Sequence, residues 1–397
     1  MSKHRESVRA VRFAVVLALG LSVGVTTACG GGGDSGKDTG NGDGIGDTAI
    51  AELPGEDVPA ADNVGPADLV SESVEGEAVE ETAAEVAPEV APEVADEPEL
   101  VGPATLTLLD TKLPIPVAGI AAVSAGDGVA YILGGDTGAA PLGKVIRFVP
   151  DQGAQFVEGA VLPQPVKAAS AVWAGDDYGA LVFGGVTAAG MSEAIQQCEF
   201  TGPSCTVLDA KLPSKRGLTA AFFDGTYAYV MGGNAGAAGP TDQIVRFDPA
   251  TAKVEVLAEK LPTPRASRIG VVWSGELAFF LGGLVAAGKT NEILTYDPAA
   301  ASLVDSGMKL PLPMDGGAYA WLGAAAMVFG GETSVSTTDA IFIVSPNTVE
   351  VLVSDLKLPT ARRGGAAAVL NSNIYIFGGT GMAGLLDEIL RYTPPGD

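Results

Sequence analysis

Residues 260–307 read KLPTPRASRIGVVWSGELAFFLGGLVAAGKTNEILTYDPAAASLVDSG, and this stretch decides the fold. It holds short strand-like runs separated by turns. Arg268–Ser274 (RIGVVWS) and Leu277–Leu281 are β-branched, aliphatic or aromatic, and Gly282-Gly283 closes the second run. Glu292–Tyr296 (EILTY) is a third run, ended by Asp297-Pro298, where proline suits the second position of a turn. A fourth apolar run precedes the next Lys-Leu-Pro. The first glycine of the pair recurs at Gly134, Gly184, Gly232, Gly282, Gly330 and Gly378, in steps of 50, 48, 50, 48 and 48 residues. Such regular spacing means a repeat array.

Four strands per repeat and a period near 50 residues predict a β-propeller with one blade per repeat. The first strands are rich in small residues, as in GIAAVSA, AASAV and GGAAAV, which suits convergence of blades on an axis. Glycine after the second strand permits backbone angles and close approaches closed to other residues. A phosphate-binding loop would need Gly-Lys-Ser/Thr at its end, and the chain has none. These features resemble the kelch repeat over residues 104–397. The aromatic position three before the first glycine is kept as Tyr131, Tyr229, Phe279 and Tyr375, and departs to Leu181 and Met327. The fourth-strand tryptophan usual in kelch repeats is absent throughout.

Blade count follows from the ends of the array. Five repeats carry a fourth strand, but the last stops after EILRYTP, and Thr105–Leu109 stands alone before the first full repeat. Pairing that N-terminal strand with the three C-terminal ones closes a six-bladed ring of four-stranded antiparallel blades and removes the exposed edge.

The first 103 residues cannot build a core. MSKHRESVRAVRFAVVLALGLSVGVTTAC has a basic start, an apolar run too short for a spanning helix, and small residues before Cys29, the pattern of a secretory signal over residues 1–28. Thr27-Ala28-Cys29-Gly30 resembles the lipobox of bacterial lipoproteins, which implies acylation of Cys29 and a stable anchor in the envelope. Gly30, in place of the aspartate that retains some lipoproteins in the inner membrane, points to the outer membrane or cell surface. Residues 29–103 form a Gly-, Pro- and Glu-rich tether, expected to be disordered and to span roughly 50 Å as a coil. Residues 30–103 carry 20 acidic side chains against Lys37 alone, so they hold most of the net charge of −25. The tether reads as a solvated spacer or as an acidic segment that docks on the chain's own ring. Nothing resembles the basic footprint of a nucleic-acid binder. A monomer is expected.

Cys198 and Cys205 flank Thr201-Gly202-Pro203-Ser204 and would face each other across a hairpin between third and fourth strands. Antiparallel geometry and an oxidising compartment predict a disulfide that staples that hairpin. The only histidine is His4, inside the signal. The mature chain therefore lacks a Ser-His-Asp triad, imidazole acid–base chemistry and a histidine-ligated zinc or copper site like that of kelch-type galactose oxidases. No cofactor and no metal are expected.

What remains is the face where loops from fourth to first strands meet those after Gly-Gly. In peptide-binding kelch domains these loops form the recognition surface, and an arginine in Pro-Arg-x-x-Arg-Ile-Gly contacts acidic groups. LPTPRASRIGVV carries that context with Arg265 and Arg268, and the resemblance implies a ligand role for Arg268. Equivalent loops supply Lys167, Arg216, Arg362 and Arg363, with Asp315 as the acidic exception. These cations would hold carboxylate or sulfate groups, or else pair with loop Asp and Glu. Three functions fit: a lipid-anchored module binding a protein, peptide or glycan; a metal-independent enzyme similar to periplasmic sialic-acid mutarotases, with a carboxylate and arginines in the channel; or a structural envelope protein.

Overall fold

The computed structural model describes residues 103–126, 128–266 and 270–396. The signal 1–28, Cys29, the tether to residue 102 and Arg268 lie outside them. Blade 1 comprises Ala121–Ser124, Ala130–Leu133, Lys144–Val149 and Gly153–Val161. Blade 2 is Ser170–Trp173, Ala180–Phe183, Ala194–Glu199 and Ser204–Lys211, and blade 3 is Ala220–Phe223, Ala228–Met231, Gln243–Asp248 and Lys253–Lys260. Blade 4 holds Val271–Trp273, Ala278–Val285, Gly288–Asp297 and Ser302–Lys309, and blade 5 Ala318–Leu322, Ala325–Phe329, Ala340–Ser345 and Glu350–Lys357. Blade 6 takes Ala366–Leu370, Asn373–Phe377 and Glu388–Thr393 from the C-terminal end and Thr105–Lys112 from the N-terminal end.

The expected closure is present. Thr105 pairs with Thr393 and Lys112 with Glu388, antiparallel, so the ring ends on a shared sheet. First strands of successive blades touch in sequence order and return from blade 6 to blade 1. Second strands are buried on both faces, as in Ala228–Met231, because each lies between two neighbouring blades. Fourth strands alternate exposed and half-buried residues, as at the rim of a wheel. The core is therefore a set of interblade layers, one of which joins Phe222 and Tyr229 of blade 3 to Phe280 and Tyr296 of blade 4. Burying one such ring contributes about 2–3 kcal/mol.

The loop after the glycine pair is a tight hairpin in three blades. In blade 4 the second strand runs past Gly282-Gly283 to Val285 and turns at once into Gly288–Asp297, while blade 2 pairs Val186–Thr187 with Gly190–Met191 and blade 6 pairs Thr380–Gly381 with Gly384–Leu385. A short extra strand, Arg265–Ala266, pairs with Leu284 and Val285.

The tryptophans missing from fourth strands sit at the ends of first strands instead. Trp173, Trp273 and Trp321 stack on Tyr131, Phe222 and Phe279 of the preceding blade at ring separations of 5.9, 5.0 and 5.4 Å. Cys198 and Cys205 are direct cross-strand partners and form the expected disulfide, with Cα atoms 4.1 Å apart.

Candidate functional site: the loop face and its groove

The loop face is built on one position per blade, four residues before the first strand in five blades and, in blade 4, at the start of the short strand Arg265–Ala266. Val117, Val166, Arg216, Arg265, Met314 and Arg362 occupy it in blades 1 to 6. Each backbone carbonyl accepts the N–H of the second glycine of the preceding blade, as Gly233 N–H does to Arg265 O at 2.9 Å. This explains the recurring pair: a Cβ on Gly232 would lie 2.3 Å from that same carbonyl oxygen, a distance no packed side chain accepts.

At the three arginine positions the side chain turns inward. Arg216, Arg265 and Arg362 are at most 1 % exposed. Their Nη1 atoms donate to the carbonyl of the first glycine of their own blade: Gly232 at 3.3 Å, Gly282 at 3.5 Å and Gly378 at 3.2 Å. Their Nη2 atoms donate to Gln243 Oε1 at 2.5 Å, Glu292 Oε2 at 2.8 Å and Glu388 Oε2. Burial pulls Arg216 and Arg362 below the usual arginine range, an effect that Glu388 opposes at Arg362. These guanidiniums therefore lock a fourth-to-first-strand loop onto its own Gly-Gly turn and third strand. They do not reach the surface as a ligand-binding cluster would require.

One sequence signal marks this role. The acceptors stand in equivalent register, each opposite or nearly opposite the end of the fourth strand, 27, 27 and 26 residues after their arginine. Where the loop position is Val117, Val166 or Met314, the register position is Lys144, Ala194 or Ala340. Arginine thus occurs where an acceptor waits for it.

The next residue in each loop bridges to the one after Gly-Gly, which forms the rim of the channel. Ala118 pairs with Asp136, Lys167 with Val186, Gly217 with Asn234, Asp315 with Glu332 and Arg363 with Thr380. Inside the rim runs a belt of backbone hydrogen bonds through five blades. Leu218 N–H donates to Ala168 O, Ala168 N–H to Gly119 O, Gly119 N–H to Gly364 O and Gly364 N–H to Gly316 O, at 2.6–2.8 Å. All five residues have positive φ, Ala168 and Leu218 included, at 53° and 55°. At Ala168 and Leu218 the strained backbone costs on the order of 1 kcal/mol each and persists because the belt over-determines it.

Among the described residues the rim charges are paired. Lys167 Nζ lies 2.6 Å from Asp136 Oδ2. Arg363 Nη1 donates to Glu332 Oε1 at 2.6 Å, and Lys289 Nζ reaches Glu332 Oε2 at 2.7 Å and Asp315 Oδ1 at 2.9 Å. Burial would push the Glu332 carboxyl up, but Lys289 and Arg363 together outweigh it and hold it below the usual glutamate range. Lys289 escaped the sequence reading because it lies in the blade 4 hairpin and crosses to blade 5. Among the loop acids, Glu292 and Glu388 hold buried arginines, while Asp242, Glu193 and Asp387 pair with lysines of Lys-Leu-Pro segments.

Among the described residues this face holds a groove of about 630 Å³ beside blade 2. Pro141, Pro163, Pro165, Ala188, Ala189 and Met191 make it apolar, and Glu193, Lys211 and Lys215 stand along it. Gln164 braces one wall: its backbone N–H donates to Gln196 Oε1 at 2.9 Å, and its side-chain oxygen accepts from Ser192 Oγ at 3.0 Å. The groove is thus an apolar trough with one hydrogen-bonded wall, lined by Lys215 and the Lys211–Glu193 pair.

Among solved structures the chain is similar to one described as the structure of YjhT, at 18% identity and a TM-score of 0.60. The match covers 70% of this chain and 95% of that one. At that identity the likeness speaks for the fold alone. No family model matches the chain, and no curated protein does.

Proposed function

We propose that the chain is a binding module, anchored to the bacterial envelope through Cys29, that takes an extended segment of a protein partner in the groove beside blade 2. The carrying observation is the groove itself, which is apolar and proline-lined, with Lys215 able to meet a carboxylate beside the Lys211–Glu193 pair. The anionic ligand expected of the arginine cluster moves to this lysine, because three of the arginines are buried.

The enzyme reading has one observation in its favour, the carboxylates and cations gathered at the channel rim around Glu332. A carboxylate held below its usual range is a weak base near neutral pH, which favours the binding reading. A mutarotation assay on sialic acid that gives a rate above background would reverse this order.

The test is selection of peptides from a random library against the full chain. Acidic peptides should enrich, and Met191→Asp or Lys215→Glu should weaken them about tenfold. Binders indifferent to both substitutions would remove the groove from the proposal. The anchor is tested separately by palmitate labelling, which should vanish in Cys29→Ser.

A further inference from the structure

The opposite face of the ring carries the turns from first to second and from third to fourth strands, and it holds two clefts of matching construction. The first lies between blades 1 and 2, has about 230 Å³, and is lined by Tyr131, Trp173, Phe200 and Asp176. The second lies between blades 3 and 4, has about 570 Å³, and is lined by Tyr227, Tyr229, Trp273, Arg246, Asp224 and Glu276. The correspondence covers a tyrosine, its cross-strand arginine, a tryptophan and an acid, while Val129 and Phe200 of the first cleft stand where Tyr227 and Pro298 stand in the second. Tyr131 and Tyr229 hold the same place in the second strands, and their cross-strand partners are Arg147 and Arg246. Trp173 and Trp273 end the first strands of the following blades, and an acid follows each by three residues, Asp176 and Glu276.

Both clefts are aromatic, and the polar groups of the second are held in place. In the first, Tyr131 stacks on Phe200 at 3.5 Å and on Trp173 at 5.9 Å. In the second, Trp273 stacks on Phe222, which stacks in turn on Tyr229 at 4.8 Å. The Arg246 guanidinium lies 4.6 Å over the Tyr227 ring and donates to Glu255 Oε2 at 2.8 Å. Asp224 is fixed by the backbone N–H groups of Thr226 and Tyr227 at 2.8 and 2.7 Å. Trp173, Trp273 and Tyr227 are half-buried, so each is anchored yet still borders solvent.

We infer that these clefts are paired glycan-binding sites for a neutral polysaccharide strand. A pyranose has an apolar face of C–H groups, which matches an indole or phenol ring, and an edge of hydroxyls, which both donate and accept. Carboxylates, a guanidinium and a tyrosine hydroxyl around an aromatic floor supply complementary partners for such an edge. Arg246 within the second cleft disfavours a simple cation, and Asp224, Glu276 and Asp297 disfavour an anion. Two like clefts on one face suit a ligand that repeats, because occupancy of one raises the effective concentration at the other. This inference is independent of the groove on the loop face.

The three tryptophans of the chain make the test direct. Trp321→Phe leaves fluorescence from Trp173 and Trp273 alone. The full chain carrying that change is titrated with chitohexaose, cellohexaose and maltohexaose, and binding is measured in parallel by calorimetry. At least one hexasaccharide should shift the emission and bind. Tyr227→Ala and Glu276→Ala, which leave the tryptophan stack in place, should each weaken binding about tenfold, Glu276→Ala at unchanged Tm. Trp173→Ala combined with Trp273→Ala should abolish it. Failure of all three sugars overturns the inference. So does binding that ignores Tyr227→Ala and Glu276→Ala but is lost in Lys215→Glu, since that places the sugar on the loop face.

Discussion

Arg265 Nη2 and Glu292 Oε2 lie 2.8 Å apart, with the guanidinium fully buried and the carboxylate partly in solvent. Arg362 and Glu388 repeat the pair in blade 6, and Arg216 with Gln243 repeats it with a neutral acceptor in blade 3. Blade 5 solves the same packing problem with Met314, fully buried, and Ala340. One ring thus contains both a polar and an apolar version of the same joint.

That contrast predicts strong coupling. Glu292→Ala leaves a buried guanidinium without its anion and should cost about 3 kcal/mol. Arg265→Met removes the charge and keeps most of the volume, at about 2 kcal/mol, chiefly from the lost partner of the Gly282 carbonyl. The double variant rebuilds the blade 5 joint and should be no less stable than Arg265→Met alone. Urea unfolding of the four proteins reads this cycle, and simple additivity of the two single changes would refute the account.

The same joint shows where sequence reading succeeds and where it stops. The glycine pairs are legible because a steric rule forces them: at Gly232 any side chain meets the Arg265 carbonyl, so the pair recurs in every blade. Ring closure is legible because two incomplete sets of strands complement each other, and the disulfide because Cys198 and Cys205 straddle one turn. The direction of an arginine side chain is not legible from its own neighbours. Pro-Arg at a loop reads equally as a ligand contact or as an inward anchor. The deciding information sits 26 or 27 residues away, at Gln243, Glu292 and Glu388, and means nothing until the third strand is laid beside the loop. The two aromatic clefts were hidden for a similar reason, since Tyr229 and Trp273 belong to different blades and come together only when blades 3 and 4 pack.

Glu332 predicts an acid-sensitive rim. Its folded pKa is depressed, so the unfolded chain binds the proton more readily. The stabilisation from Lys289 and Arg363 is therefore full above the ordinary glutamate value, about 4.3, and is lost as pH falls through the lower folded value. Glu332→Gln should cost about 1–2 kcal/mol at pH 7, and the difference from the parent should shrink toward pH 3. Paired unfolding curves across that range measure it. A gap that stays constant to pH 3 would mean that the carboxylate charge contributes nothing.

The disulfide closes a short loop, with a separation of 7 residues. Chain entropy gives about 2.5 kcal/mol for a loop of that size. Cys198→Ala with Cys205→Ala should lower stability by about that amount, and reduction of the parent protein should do the same. Because blade 2 walls the loop-face groove, peptide binding should persist in the reduced protein at temperatures well below the new Tm. Loss of binding without unfolding would instead assign the bond to the groove's shape.

Closure by Thr105–Lys112 makes the sharpest claim on stability, because two leucines of one strand serve different neighbours. Leu106 packs on the layer between blades 5 and 6, Leu109 on the layer between blades 6 and 1, and Leu108 is 48% exposed. Leu106→Ala and Leu109→Ala should each cost about 2 kcal/mol, the low end for a partly buried leucine, while Leu108→Ala should stay within about 0.5 kcal/mol of the parent. Thr107→Pro removes a backbone donor from the closing ladder and should be worse than any of the three. Opening the joint also bares Glu388–Thr393 as an unpaired edge, a template for pairing with a second chain. Thermal melts should therefore rank the variants in this order, and light scattering should show self-association in Thr107→Pro before it appears in the parent. Equal losses at Leu106 and Leu108 would mean that the strand holds the ring by its backbone alone.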